Sequence, residues 1–364
     1  MSLLNSSLAD KYEIDVFTIW KSDYNPKLLA SYDIGLNGLS TAFHGDFSTF
    51  GVFDKLTLFP IKLLKQIKPL VSELEKWVEK KTIKRIERRK RYDMVVGFQE
   101  HITTRFTSGF NCPNKIAWIH CDYANHYGKD VDELSLYSLF SKIVCVSEFT
   151  KTGFIERYPS LSEKTFAIHN VFDSNGVITK SKDSIDDNRF DNSLFTIVSL
   201  GRVSDVKRFY LIPKISAKLK ESNLAFRWYI IGSSDNELEL KRVSNAIQEF
   251  GVEKEVVLLG SKPNPYPYLN AADLMVTVSR SEACPMIFNE AKLLHVPILS
   301  SDFGSAFEFV EQGKDGYITS IEEMSVKLIE LINHPETLTH IKNNNLFNDS
   351  NARILEQLEN LFTI

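Results

Sequence analysis

The chain has 364 residues, more than one hydrophobic core usually serves, so two domains are expected. Its 43% hydrophobic and 25% charged residues exclude a disordered chain, and 16 Gly with 12 Pro exclude collagen-like or linker-dominated architectures. The formal net charge of −4 gives no bulk attraction for nucleic acid, and no apolar run reaches the roughly 18 residues that a membrane span needs.

The first fifteen residues, MSLLNSSLADKYEID, carry no basic start before an apolar run and do not read as a signal peptide. Leu3–Lys11 reads as a helix and Glu13–Trp20 as a strand. Residues 55–91 then hold thirteen Lys/Arg and four Glu, a net of +9 within a chain whose total is −4. Leu63, Ile67, Leu70, Leu74 and Trp77 recur there at three or four residues, with Pro60 and Pro69 interrupting the run. Two readings stand. In one, this is a surface helix whose apolar stripe packs on its own domain. In the other, its basic face rests on anionic lipid.

Further along, short apolar runs alternate with helical patterns, the signature of parallel α/β layers. The strand candidates are Asp93–Phe98, Lys115–Ile119, Lys142–Val146 and Thr165–His169. Lys180–Asn192, rich in Asp, Ser and Asn, reads as a linker or exposed loop. A second series follows: Phe195–Leu200, Arg227–Ile231, Val256–Leu259, Leu274–Val278 and Pro297–Ser300, with helical patterns at Phe209–Leu219 and Glu237–Phe250. Asn351–Ile364 carries Ile354, Leu355, Leu358 and Leu361 on one helical face, which should dock on something. Two doubly wound, Rossmann-like domains are expected, residues 1–175 and 193–345, with a C-terminal helix at 349–364 packing back on the first. The four cysteines, Cys112, Cys121, Cys145 and Cys284, show no C-x-x-C spacing, which suits a reducing cytoplasm better than a disulfide framework or a structural zinc site.

Open α/β sheets bind ligands at the carboxyl ends of their strands, and the chemistry-bearing residues fall there. Gly201-Arg202, followed by Lys207, leaves the strand Phe195–Leu200. Both cations can point at one anion, Arg through two parallel hydrogen bonds and Lys as a point charge, although two basic residues in a loop are as a rule simply solvated. SRSEACPMIFNEA follows the strand Leu274–Val278. It places Glu282 in a loop, Pro285 at a helix start and Glu290 inside that helix. The amides near Cys284, Pro285, Met286 and Ile287 form a helix N-terminus, a seat for phosphate. Surface solvation is the plain alternative for the two glutamates, and their apolar surroundings argue against it. His120 lies just past the strand Lys115–Ile119 in AWIHCDY, beside Asp122, and a structural histidine is the alternative there. Ser147 reads as a helix N-cap, since no Gly-x-Ser-x-Gly surrounds it.

On these residues the sequence resembles the retaining glycosyltransferases of family 4, which have the GT-B fold, two Rossmann-like domains facing across a cleft. The resemblance rests on Gly201-Arg202…Lys207, on Gly260 with NPYPYLNAADLMVTVSRSEACPMIFNEA, and on HVPILSSDFGSAFEFVEQGKDGYI. It implies a sugar moved from a nucleotide-sugar, UDP-linked by preference, to a hydroxyl of a glycan or lipid-linked acceptor, as in bacterial surface polysaccharides. Arg202 and Lys207 would then neutralise the diphosphate. Glu290 would bind the ribose, and Glu282 with His120 would flank the donor sugar. Gly260, Ser261, Lys262 and Tyr266 would border the base. A peripheral position on the inner face of the plasma membrane, through residues 55–91, is compatible with such an acceptor.

The sequence departs from the family pattern in places. The first strand and its Gly-rich turn are missing from the expected pattern, Arg208 stands where a glycine is usual after Lys207, Ser233-Ser234 follows Gly232, and Ala283-Cys284 replaces Gly-Phe. No cofactor or metal is expected: no Asp-x-Asp stands at a strand end, and His120 and His126 match no standard zinc spacing. Neither G-x-G-x-x-G after a strand nor a P-loop is present. A catalytically weak glycosyltransferase-like partner subunit and a GT-B nucleotide-sugar epimerase remain as alternatives.

Overall fold

A computed structural model describes residues 8, 11–18, 31–33, 68–123, 132–234, 236–344 and 351–363. Its elements in chain order are β1 (Val16–Thr18), β2 (Ser31–Asp33), α1 (Lys68–Arg89), β3 (Met94–Gly97), α2 (Ile102–Ser108), β4 (Asn114–Ile119), α3 (Leu134–Ser138), β5 (Lys142–Cys145), α4 (Glu148–Arg157) and β6 (Thr165–Ala167). The chain continues with α5 (Ser174–Lys180), β7 (Phe195–Leu200), α6 (Ile212–Glu221), β8 (Phe226–Ile231), α7 (Glu237–Glu249), β9 (Val256–Gly260), α8 (Tyr266–Asn270) and β10 (Leu274–Thr277). It closes with α9 (Met286–Leu293), β11 (Ile298–Ser301), α10 (Ala306–Phe309), β12 (Gly316–Thr319), α11 (Met324–Asn333), α12 (Pro335–Asn344) and α13 (Asn351–Phe362).

The strands form two larger parallel sheets, β3-β4-β5-β6 and β12-β11-β10-β7-β8-β9, beside a parallel pair β1-β2. This is the doubly wound architecture expected of the two halves. β10 and β11 are buried along their whole length, which is why they read as unbroken apolar runs instead of alternating ones. Helices cover both faces of the six-stranded sheet. Ile212 and Leu219 of α6, Val243 of α7 and Leu328 of α11 pack on one side. Tyr268 and Leu269 of α8 and Phe288 of α9 pack on the other.

In the four-stranded sheet the alternation of β4 decides the packing. Ala117 and Ile119 face Tyr137 of α3 and Phe154 of α4. Ile116 and Trp118 face Ile354, Leu358 and Leu361 of the C-terminal helix α13. Polar contacts fix α13 as well. The Asn351 amide accepts from Phe172 N at 3.1 Å and donates to Phe172 O at 2.7 Å, while Lys11 pairs with Glu359 at 2.6 Å. The apolar face of α13 therefore docks on the first sheet, more than 200 residues back along the chain.

Several elements differ from expectation in their detail. The run Phe209–Leu219 divides into a 3-10 turn at Phe209–Leu211 and helix α6, because Pro213 belongs in a first helical turn. Pro69 likewise sits in the first turn of α1 and does not interrupt it, since that turn needs no amide donor from it. Helix α1 buries Thr82, Ile83 and Ile86, and a Cβ on Gly109 would stand 2.6 Å from Ile83 Cδ1. Trp77 is 52% exposed, with Lys81 Nζ 3.8 Å above its ring, so it does not take part in that packing. Pro60, Leu63 and Ile67, most of Leu3–Lys11, and the last two residues of the expected strand Glu13–Trp20 lie outside the described residues; within the rest of that run the strand is Val16–Thr18. Among the described residues, no helix is long and apolar enough to cross a membrane.

The docking of α13 yields a prediction. Leu358 is fully buried at the centre of its face, so Leu358→Ala should cost about 2–5 kcal/mol. Urea unfolding followed by tryptophan fluorescence checks it; a loss below about 1 kcal/mol would mean that α13 is peripheral to the core.

Candidate functional site

The loops leaving the six-stranded sheet are folded tightly on one another. Gly201 has a φ of +144°, and its amide bonds Ile231 O at 3.0 Å. Gly232 follows at the end of β8, where a Cβ would fall 1.8 Å from Gly201 O. Only glycine lets these two strand exits meet. Val203 N then bonds Ser233 O at 2.7 Å, and Ser234 Oγ donates to Val203 O, so the Ser233-Ser234 departure is used to anchor the loop after β7.

Arg208 explains its own departure. Its φ is +51°, the left-handed conformation that glycine adopts at no steric cost. Here the guanidinium donates to Val278 O at 2.8 Å and Ser279 O at 2.9 Å, and Arg280 N bonds Val206 O at 2.8 Å. The loop after β7 and the loop after β10 thus form one unit. Inside it, Lys207 Nζ is paired with Glu282 Oε1. Ser279 Oγ donates to the same oxygen at 2.7 Å and contacts Thr277 Oγ1 at 3.0 Å, and Ser305 Oγ donates to Glu282 O at 2.6 Å. Glu282 is held by side chain and backbone alike, so it is no solvated surface carboxylate.

Helix α9 begins at Met286 behind Pro285, which leaves the amides of its first turn, Met286 and Ile287, without intrahelical acceptors. Cys284 lies just before it, partly buried, its thiol pushed up to about 11 chiefly by desolvation. One turn in, Glu290 accepts from Tyr266 OH at 3.2 Å. Burial raises the Glu290 pKa, and burial together with that carboxylate pushes Tyr266 up to about 12. Gly260 leads toward Tyr266 with a φ of +74° and open space at its Cβ position. Lys262 is engaged elsewhere. Its Nζ lies 2.5 Å from Asp187 Oδ2, and Arg189 holds the same carboxyl at 2.6 Å. Arg202 is exposed beside Gly201, and Ser261 is exposed beyond Gly260.

The first sheet meets this unit at its own strand ends. Ser281 Oγ donates to Asp122 Oδ2 at 2.6 Å, which ties the loop of His120 to the loop of Glu282. His120 N bonds Glu100 at 2.9 Å, while burial lowers the pKa of its imidazole and keeps it neutral. His120 Nε2 is buried with no hydrogen-bond partner among the described residues, and the side chain lines a cavity of about 260 Å³ bordered by Trp118, His169, Asn170 and Met286. A second junction lies close by. Glu308 of α10 accepts from the amides of Glu148 and Phe149 at 2.9 and 3.0 Å, and its Oε1 lies 2.5 Å from His169 Nε2. A Cβ on Gly304 would meet the Phe149 ring at 2.0 Å.

The structure therefore joins Lys207 to Glu282 and Tyr266 to Glu290, brings the His120 segment to the Glu282 loop, and turns Lys262 toward the connection between the sheets. Ser279, Ser281, Glu308 and His169 were not singled out from the sequence. Ser279 and Ser281 flank Glu282 within the same motif, and strand-end position was the signal for them. Glu308 and His169 meet only in the fold, 139 residues apart. His126 lies outside the described residues. Among the described residues no group of three His, Cys, Asp or Glu side chains is placed to hold a metal ion.

Residues 180–346 match the family model of glycosyl transferases group 1. That stretch begins in α5 and carries the whole six-stranded sheet. An uncharacterized glycosyltransferase of Haemophilus influenzae is 25% identical over 228 residues, 61% of each chain. The putative colanic acid biosynthesis glycosyltransferase WcaL of Escherichia coli is 27% identical over 130 residues, 34% of this chain and 31% of WcaL. The chain thus matches less than two thirds of the length of either relative. Among solved structures, Anabaena HepE in complex with UDP and glucose superposes with a TM-score of 0.64 at 20% identity, over 82% of this chain and 83% of that one. That likeness is one of fold, and the fold is GT-B.

The setting of Glu290 yields a prediction with a definite sign. Burial raises its pKa, so the folded protein binds this proton more tightly than the unfolded chain, and stability falls as pH rises through the ordinary carboxylate range. Glu290→Gln removes that penalty and keeps an acceptor for Tyr266. The variant should therefore gain stability on the parent as pH rises from about 4 to 7. Urea midpoints across that range test this, and a difference independent of pH would refute it.

Proposed function

We propose that the chain is a retaining glycosyltransferase that moves a sugar from a UDP-linked donor to a hydroxyl of a glycan or lipid-linked acceptor. The observation that carries the reading is Glu282 in its setting. It is held between Lys207 and Ser279 at a strand end, just before the helix that bears Glu290, and tied through Ser281–Asp122 to the segment of His120. The match to glycosyl transferases group 1 over the same half supports it, as does the UDP in HepE.

In this reading Arg202, Lys207 and the first amides of α9 face the diphosphate, the group on which charge develops as it leaves. Glu290 accepts from the ribose hydroxyls, and Tyr266 positions its carboxylate. Glu282 and neutral His120 flank the sugar from opposite sides of the cleft. The bond from the anomeric carbon to the phosphate oxygen breaks as the bond to the acceptor oxygen forms on the same face, and the acceptor proton passes to the departing phosphate oxygen. No enzyme nucleophile is required; positioning and fixed charge supply the catalysis. With two cations and a helix N-terminus at the diphosphate, the reading needs no divalent metal. The naming of WcaL for polysaccharide biosynthesis and the exposed Trp77 on the basic helix α1 support an acceptor held at an anionic membrane surface on the cytoplasmic side.

The direct test is a thermal-shift and hydrolysis screen of the full chain against UDP-, GDP- and ADP-sugars, with and without EDTA. A UDP-sugar should raise Tm and be hydrolysed slowly at the same rate in EDTA. Binding to no member of the panel would end the reading, and loss of hydrolysis in EDTA restored by Mg²⁺ would end its metal-independent form.

The two glutamates should separate kinetically. A carboxylate on the ribose serves ground state and transition state alike, so Glu290→Gln should mainly raise donor KM. Contacts of Glu282 tighten as positive charge grows at the anomeric carbon, so Glu282→Gln should mainly lower kcat. Full donor titrations decide: a change in KM alone for both variants would make Glu282 a binding residue only.

A further inference from the structure

We propose that Ser279 is a positioning residue that keeps Glu282 in place when a diphosphate takes Lys207 from it, and so sets how readily the site releases that cation to its ligand. This rests on the nucleotide-sugar reading above.

Two donors converge on a single oxygen. Lys207 Nζ and Ser279 Oγ both meet Glu282 Oε1. The lysine side chain is long and able to swing. The serine is fixed. It is fully buried, its carbonyl accepts from Arg208 Nη2 at 2.9 Å and Ser301 Oγ at 2.6 Å, and its hydroxyl is backed by Thr277 Oγ1 at 3.0 Å. The backbone of Glu282 is pinned as well, through Ser305 Oγ. Among the described residues, the ion pair is therefore the link of this cluster that rests on a long side chain, and the others rest on short ones and on backbone.

The consequence is a competition. A diphosphate carries more charge than a carboxylate and draws Lys207 toward itself. While Ser279 remains on Oε1, Glu282 keeps a charge-assisted hydrogen bond and its orientation after the lysine leaves. Without that hydroxyl, Lys207 is the remaining side-chain partner of the carboxylate among the described residues. Glu282 then holds the lysine harder, and the ligand must displace it against a larger cost. Ser279 thus acts on nucleotide affinity through Glu282 and Lys207, with no contact to the nucleotide.

Calorimetric titration of the full chain with UDP alone tests this in a double-mutant cycle. Glu282→Gln, which abolishes the ion pair, should bind UDP more tightly than the parent. Ser279→Ala should bind it about tenfold more weakly, the scale of one charge-assisted hydrogen bond. The double variant should match Glu282→Gln, because with no carboxylate to restrain, Ser279 has nothing to act through. Should Ser279→Ala fail to give a folded circular dichroism spectrum, Ser279→Cys fills the volume with a much weaker donor and must show the same pattern. Parental affinity in the serine variant overturns the proposal. So does an equal loss of affinity in both backgrounds, the mark of a merely structural serine. If neither the parent nor any variant binds UDP, the nucleotide-sugar reading itself falls and takes this proposal with it, a pattern distinct from the other two.

Discussion

The structure turns on a carboxylate of one sheet's helices serving the helix of the other. Glu308, in the short helix after β11, faces the N-terminus of α4, where two amides have no acceptor of their own. Burial alone would raise its pKa. The His169 hydrogen bond and the amides of Glu148 and Phe149 outweigh that and hold it below the usual carboxylate range. A negative charge at a helix N-terminus is favourable, so the contact links the two halves through a charge that neither half would bury alone. Gly304 belongs to the same constraint. Any side chain there would strike Phe149 and force the two halves apart.

Once the halves meet there, their strand ends oppose each other, and the remaining polar contacts follow. Ser281 reaches Asp122, and His120 is brought toward the start of α9. Polar groups at the junction are matched: Lys207 with Glu282 in the cleft, Lys262 with Asp187 at the connection between the sheets, and Glu308 with the His169 ring by a hydrogen bond. Glu290 is the exception. Among the described residues its side-chain hydrogen bond is to the Tyr266 hydroxyl, and burial outweighs that bond and raises its pKa.

The reach of the sequence follows from the range of the interactions. Buried parallel strands declare themselves as unbroken β-branched and aliphatic runs, so Phe195–Leu200 had its true limits and Leu274–Val278 was one residue too long. β12 was not anticipated: four residues starting at a glycine carry little pattern, and Gly316 is there because a Cβ would lie 2.2 Å from Ile298 O. Glu282 and Glu290 were legible because a single motif sets both on one strand-loop-helix unit. The partner of Lys262 was not, since Asp187 lies 75 residues away in a stretch that reads only as polar linker. Of the two readings of the 55–91 run, the packed stripe does not extend to Trp77. Helical spacing tells which residues share a face, and not which part of that face meets a neighbour.

That linker has a role beyond joining two sheets. β9 is an edge strand, and an edge strand offers unpaired carbonyls to any other chain that can lie alongside. Arg189 covers two of them, Leu258 O at 3.4 Å and Leu259 O at 3.0 Å, while Phe190 packs on Tyr229 and Tyr268 just behind. The connection is thus a guard against intermolecular strand pairing. An insertion at 187–190 would carry Arg189 away from Leu258 O and Leu259 O and uncover that border while leaving the strands of both sheets as they are.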